Sequence, residues 1–317
     1  MLTVSLRSAP VNNDYPRDLI GYGSHPPHPR WPGEARIAIS FVLNYEEGGE
    51  HCILHGDSES EAFLSEMPGA QPLPGVRHMS MESCYEYGSR AGVWRLLKLF
   101  SKYEIPLTIF AVAMAIERHP EVAKAMVEAG HEICSHGYRW IDYQYFDESE
   151  ERDHLLRAID IITQVTGERP QGWYTGRNSP NTRKLVMEEG GFMYDSDAYD
   201  DDLPYWVNNQ GKGHLVIPYT LDTNDMRFAT QQGFNSGEQF YQYLKDSFDT
   251  LYAEGADAPK MLSIGLHCRL IGRPARIAAL ERFIQYAQSH EQVWFSRRID
   301  IAKHWYAEHP FNPESAS

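Results

Sequence analysis

The chain has 317 residues, 29 Lys and Arg against 44 Asp and Glu for a formal net charge of −15, and 42% hydrophobic and 12% aromatic residues. That much apolar material supports a sizeable core and excludes a mainly disordered chain. The acidic balance disfavours broad nucleic-acid binding, which needs clustered positive charge to displace counterions. No apolar run approaches the roughly 20 residues of a membrane span, and the opening lacks the basic start and apolar run of a secretory signal. Cys52, Cys84, Cys134 and Cys268 are scattered without a CxxC pair, which predicts reduced thiols in a cytoplasmic protein.

In chain order, residues 1–34 are rich in Pro, Gly, Asn and His and predict an extended arm. The run 36–44 (RIAISFVLN) has strand length, and the Gly- and Pro-punctuated stretch at about 48–80 is too long for an ordinary connection. It predicts a functional or interface insertion. A helix follows at 92–103, with Val93, Leu96, Leu97 and Phe100 on one stripe, then a strand at 106–112. Further helices are expected at 120–129, 149–166, 182–189, 236–254 and 274–289, and strands at 132–135, 172–175, 192–196, 215–218, 261–267 and 292–295. Ser236 suits an N-cap, and Gly130 and Gly167 suit helix stops. Such regular alternation implies parallel strands joined by helical crossovers. One α/β domain of (β/α) barrel type over 35–317 fits better than two domains, and barrel chemistry sits where the strands end.

The strand ends carry the reactive residues. The first strand runs into Asn44-Tyr45-Glu46-Glu47-Gly48-Gly49-Glu50, the third into His136-Gly137-Tyr138-Arg139-Trp140, and the strand at 261–267 into His267-Cys268-Arg269. Two adjacent carboxylates and two histidines at one predicted rim point to a catalytic cluster. The strand holding Trp173 leads into Gly176-Arg177-Asn178, a turn able to present a guanidinium and backbone N–H groups to an oxyanion. The acidic run at 197–206 contains Tyr199 and Trp206, which suggest a pocket wall.

These motifs resemble the polysaccharide deacetylase (NodB homology) family over about 35–300, five motifs in the right order. The resemblance implies a distorted (β/α) barrel that hydrolyses N-acetyl groups with a divalent metal. The family's Thr-Phe-Asp-Asp-Gly is matched by Asn44-Tyr45-Glu46-Glu47-Gly48, placing the base on Glu46 and a metal ligand on Glu47. Its His-(Ser/Thr)-x-x-His becomes His136-Gly137-Tyr138-Arg139-Trp140, so the second metal histidine is Trp140. Arg177-Asn178-Ser179-Pro180, Tyr194-Asp195-Ser196-Asp197 and Leu266-His267 stand for the remaining motifs. An indole is donor-only, and two ligands hold a catalytic metal poorly, so no metal and no other cofactor is expected. The strings NYEEGGE, EYGSRAGVWR, CSHGYRWIDY, YTGRNSPNTRKL, MYDSDAYDDDLPYW and LHCRLIGRPAR resemble one branch, the cofactor-independent allantoinases of purine catabolism.

That resemblance implies hydrolytic opening of the hydantoin ring of allantoin, and a homo-oligomer, specifically a homotetramer. Glu46 or Glu47 would activate water, and His136 or His267 would protonate the leaving nitrogen. Arg177 or backbone N–H groups would hold the oxyanion. Asn44, Trp140, Trp173, Arg177, Asn178, Tyr199 and Trp206 are the expected substrate contacts. Two other readings compete: a metal-dependent carbohydrate deacetylase drawing a third ligand from His51 or His267, and a non-catalytic binding protein on the same fold.

Overall fold

The structure, a computed structural model, describes residues 16–313. Its strands are β1 (Ile37–Tyr45), β2 (Thr108–Ala111), β3 (Glu132–Ser135), β4 (Gly172–Trp173), β5 (Tyr194–Asp195), β6 (Tyr205–Asn209), β7 (Lys212–Val216), β8 (Lys260–His267) and β9 (Val293–Phe295). They form one sheet in the order β6-β7-β5-β4-β3-β2-β1-β8, with β9 also on β1. All pairs are parallel except β6 with β7. Around it pack α1 (Met79–Tyr87), α2 (Val93–Lys102), α3 (Ala113–Arg118), α4 (Pro120–Glu128), α5 (Glu148–Thr166), α6 (Thr182–Glu189), α7 (Gly237–Glu254), α8 (Pro274–Gln288) and α9 (Arg298–Glu308). This is the expected α/β barrel in its distorted form. β7 and β8 do not pair as strands; a single bridge between Asn224 and Gly265 and the Thr223 hydroxyl on the Ser263 carbonyl, at 2.7 Å, stitch the seam.

The period of two in β1 divides the molecule. Ile37, Ile39, Phe41, Leu43 and Tyr45 join the apolar layer shared with the helices, whereas Ala38 and Val42 join the inner cluster with Phe110, Tyr174 and Tyr219. Both faces are covered, so every β1 residue is buried. By the same alternation Asn44 points inward with Ala38 and Val42, and the next inward position after it is Glu46. Lower in the interior lies Arg298 at the start of α9. Its Nε donates to Ser196 Oγ at 2.9 Å, its Nη1 to Ser263 Oγ at 2.9 Å, and its Nη2 to the Ile217 and Pro218 carbonyls.

Four elements depart from the sequence expectation, the first being helix α1, which precedes the helix expected at 92–103. Helix α3 takes over the end of an unbroken apolar run, where periodicity cannot separate strand from helix. Strand β6 begins inside the expected acidic loop. Its register, Asn209 opposite Lys212, leaves a two-residue turn with Gln210 and Gly211 both at positive φ, the geometry of a twisted hairpin. Helix α9 follows the last strand and buries Ile299, Ile301, Ala302 and Trp305.

Of the expected arm, residues 1–15 lie outside the described residues. The remainder runs to Trp31, only 2% exposed, whose indole N–H donates to the Lys260 carbonyl at 3.1 Å. Its ring packs on Trp294 and Trp305 at 5.6 and 5.9 Å, beside the start of β8 and the C-terminal half of α9, away from the strand ends. The stretch 48–78 is irregular apart from one short 3₁₀ turn (Ile53–His55). Trp31→Ala empties an aromatic site in a packed cluster and should cost about 3–5 kcal/mol, read from the denaturant midpoint at unchanged slope. A loss below about 1 kcal/mol would deny Trp31 that role.

Candidate active site

Strand register gathers the cluster. Tyr45 of β1 lies opposite Ala111 of β2, and Ala111 opposite Ser135 of β3, while Asn44 lies opposite His267 of β8. Glu46 and His136 each follow their strand by one residue, so they meet His267 at one rim. Glu46 Oε1 stands 3.4 Å from His136 Nε2 and 3.5 Å from His267 Nε2; its Oε2 stands 2.7 Å from Arg269 Nη1. The 3₁₀ turn after the seam supplies Asp225, whose Oδ1 is 2.6 Å from His267 Nδ1 and whose Oδ2 accepts the backbone N–H groups of His267 and Ile271 at 2.7 and 3.0 Å.

Burial makes these charges strong on one another. By itself it would raise the Glu46 pKa, but Arg269 and His267 outweigh it and hold the carboxyl well below its usual range. Burial also opposes a charge on His267, yet Glu46 and Asp225 lift its pKa to about 9. His136 goes the other way: burial lowers it despite Glu46, leaving a neutral ring. Both its ring nitrogens are buried without a hydrogen-bond partner. Glu47 takes the opposite side of the strand from Glu46. Burial pushes it up to about 7, with Arg269 opposing and Glu46 adding, and its Oε1 is 3.7 Å from Arg269 Nη1.

Two glycines of the π-helical link 88–92 between α1 and α2 make room for this. A Cβ on Gly88 would overlap the Glu47 carboxylate, and one on Gly92 would overlap the Cys268 carbonyl. A π turn at such a place often marks a functional site.

Trp140 roofs the cluster. Its ring stacks on Phe63 at 6.0 Å, tilts against Tyr85 at 6.1 Å, and carries the Arg177 guanidinium 3.9 Å from its centre and that of Arg269 at 5.2 Å. The 48–80 stretch thereby reaches the site: it contributes Phe63, the Leu64 carbonyl that accepts Arg269 Nε at 3.0 Å, and Glu61, 3.7 Å from Arg177 Nη1. The turn that carries Arg177 is tied by the N–H groups of Thr175 and Gly176 to the Asp197 carboxylate at 2.8–3.0 Å.

Of the expected residues, Glu46, Glu47, His136, His267, Trp140 and Arg177 converge here. Asn44 lies on the floor, its amide donating to Tyr219 Oη and the Leu266 carbonyl at 2.9 and 3.0 Å. The others stand apart. Trp173 faces the helices, T-shaped on Phe192, with its N–H on Thr175 Oγ1. Trp206 belongs to β6 and anchors the C-terminal end, its N–H on the His309 carbonyl at 2.7 Å. Asn178 is exposed on the turn after Arg177. Tyr199 is one layer removed: its hydroxyl meets Tyr174 Oη at 2.9 Å, and the Tyr174 ring is 4.9 Å from His136. Tyr199 lines a cleft of about 900 Å³ at the β7–β8 seam, together with Tyr219, Asp222 and Ser263. None of Glu46, Glu47, His136 and His267 lines that cleft, so the chemistry is assigned to the strand ends where they meet and not to the cleft. Sequence reasoning missed Asp225, whose loop context looks like any solvated turn. It also passed over Arg269, two residues beyond a flagged histidine.

The chain belongs to the polysaccharide deacetylase family. The Polysaccharide deacetylase family pattern matches residues 76–193. A Schizosaccharomyces pombe protein named "Putative polysaccharide deacetylase" is 45% identical over 315 residues, covering 93% of this chain and 98% of its own. A solved structure from Pseudomonas aeruginosa PAO1 called a "probable Polysaccharide deacetylase" is 77% identical with a TM-score of 0.93, covering 94% of this chain and 100% of its own. A solved structure of PuuE allantoinase has the same identity, TM-score and coverage.

The family's divalent metal does not fit the residues present. Its ligand positions fall on Glu47, His136 and Trp140; the indole offers no lone pair, and Arg269 already presents a cation to both glutamates. Among the described residues no three His, Cys, Asp or Glu side chains are grouped to hold a metal ion. Gly88→Ala tests the local packing: the methyl group must displace Glu47 and, through it, Arg269. Hydrolytic rate should fall at least tenfold while the protein stays folded by circular dichroism. An unchanged rate would mean that the position of Glu47 does not matter.

Proposed function

We propose that this protein is an allantoinase, opening the hydantoin ring of allantoin with water and no metal. The observation that carries the reading is the buried Glu46 carboxylate in reach of two imidazoles, one of them backed by Asp225. The 77% identical PuuE allantoinase supports the substrate, and the donor-only Trp140 supports hydrolysis without a metal ligand set.

Glu46 is the better base, because it touches both histidines, while Glu47 stands 3.7 Å from the same Arg269 nitrogen and adds to its counter-charge. Glu46 stays ionised at neutral pH and takes a proton from water as the water oxygen bonds to the ring carbonyl carbon. His267, protonated up to about pH 9, then gives its proton to the ring nitrogen as the C–N bond breaks. Asp225 holds that ring in place and stabilises its charge. The proton on Glu46 returns to His267 across 3.5 Å, and the new carboxylic acid ionises to solvent. Neutral His136 and Asn44 offer hydrogen bonds to the ring, and Trp140 with Phe63 gives a flat cover.

A cytoplasmic homo-oligomer, with the homotetramer the expected form, is part of the same proposal. The four free cysteines suit a reducing compartment. Exposed apolar side chains such as Leu54, Val76 and Tyr145 offer surface for subunits to bury. No helix among the described residues is long and apolar enough to cross a membrane.

Turnover of racemic allantoin by dialysed, metal-analysed protein tests substrate and metal together. Activity should persist without bound metal, and Glu46→Gln should lower kcat by about 10² or more. Because the protonated form of His267 is the active one, kcat/KM should decline as pH rises through about 9. A descending limb near 6.5, or activity restored only by zinc, would overturn the mechanism.

A further inference from the structure

Two arginines are almost fully buried in this barrel, and they differ in one respect. Arg298 has all three nitrogens engaged by hydroxyls and carbonyls and serves as an interior brace. Arg269, 1% exposed, uses Nε on the Leu64 carbonyl and turns Nη1 to the glutamates, while Nη2 is buried with no hydrogen-bond or ion-pair partner. Its contact with Glu46 Oε2 is an ion pair at 2.7 Å. Unpaired buried donors on a charged group are costly, and the two N–H bonds of Nη2 remain once Nε and Nη1 are engaged.

The guanidinium cannot swing away to relieve this. Its backbone follows the turn fixed by Asp225 on the Ile271 N–H, and its plane lies 4.2 Å from the Tyr85 ring centre and 5.2 Å from that of Trp140. It is held beside the residue that replaces a metal ligand, against the carboxylate proposed as base. Arg177 is less suited: it lies on Trp140 and near Glu61, is partly exposed, and makes no ion pair with Glu46.

We propose that Arg269 is a catalytic residue whose free Nη2 group holds the oxyanion formed on the substrate carbonyl, supplying the fixed positive charge for which the family uses a metal. The claim rests on the hydrolytic reading above and moves the oxyanion role from Arg177 to Arg269. As the water oxygen bonds to the carbonyl carbon, the C=O electron pair moves onto oxygen and is met by the Nη2 N–H. When the C–N bond breaks, that pair re-forms the carbonyl, and Arg269 keeps all its protons throughout.

The test uses the full-length protein with allantoin. Arg269→Ala should lower kcat by about 10²–10³ with KM changed only a few-fold, the loss typical of an oxyanion donor. Millimolar guanidinium should restore Arg269→Ala at least tenfold and leave Glu46→Gln unaffected. Arg269→Lys guards against a misfolded alanine variant: a compact ammonium lacks the planar fork, so this folded variant should lose at least tenfold in kcat. Full rate in either folded variant, a loss confined to KM, or no rescue by guanidinium would overturn the assignment. Wild-type protein silent on allantoin would instead sink the substrate reading. The ratio of variant to wild type would then be measured on whichever amide the wild type hydrolyses.

Discussion

The site depends on keeping one deeply buried carboxylate ionised. Glu46 is 1% exposed, and an isolated buried carboxylate would protonate rather than bear its charge. Arg269 on one oxygen and two imidazoles on the other prevent that. The same contact raises His267, so a single interaction sets both partners of an acid–base pair. Asp225 extends it, and Glu47 adds a second negative charge near the same Arg269 nitrogen. Glu46, His136 and His267 stand where they do because three parallel strands end in register.

The fold separates stability from chemistry along the barrel. Near the start of β8 and the C-terminal half of α9, Trp31 closes the interior, and deeper inside Arg298 fills it with paired polar contacts. At the strand ends the pairing is left incomplete: His136 and Arg269 retain buried atoms with no partner. Incomplete pairing is tolerable there because the surrounding scaffold is rigid, and it marks where a substrate would make the missing bonds. The Trp140 ring joins the two regimes, giving up metal ligation and gaining a stacking surface for two arginines and Phe63.

Much of this was legible in the amino-acid sequence. The apolar runs ending in Glu46, His136 and His267 located the rim, and the alternation of strand and helix gave the barrel. Local pattern could not give contacts made by backbone pairing between distant segments. Asp225 meets His267 only because the chain crosses the seam, and Phe63 meets Trp140 only because the 48–80 stretch folds back over the strand ends. Aromatic residues were the least readable. Trp140, Trp173 and Trp206 look alike in the sequence, yet one covers the cluster, one packs under a helix, and one ties down the C-terminal end. Composition alone carries no sign of which face a ring will take.

The direct measurement is the ionisation of the two histidines by ¹H–¹⁵N NMR of the imidazole nitrogens. His267 should remain a cation up to about pH 9 while His136 stays neutral, and Glu46→Gln should lower the His267 pKa while leaving the fold intact. His267 titrating near its ordinary 6.5, indifferent to the loss of Glu46, would contradict the account at its centre.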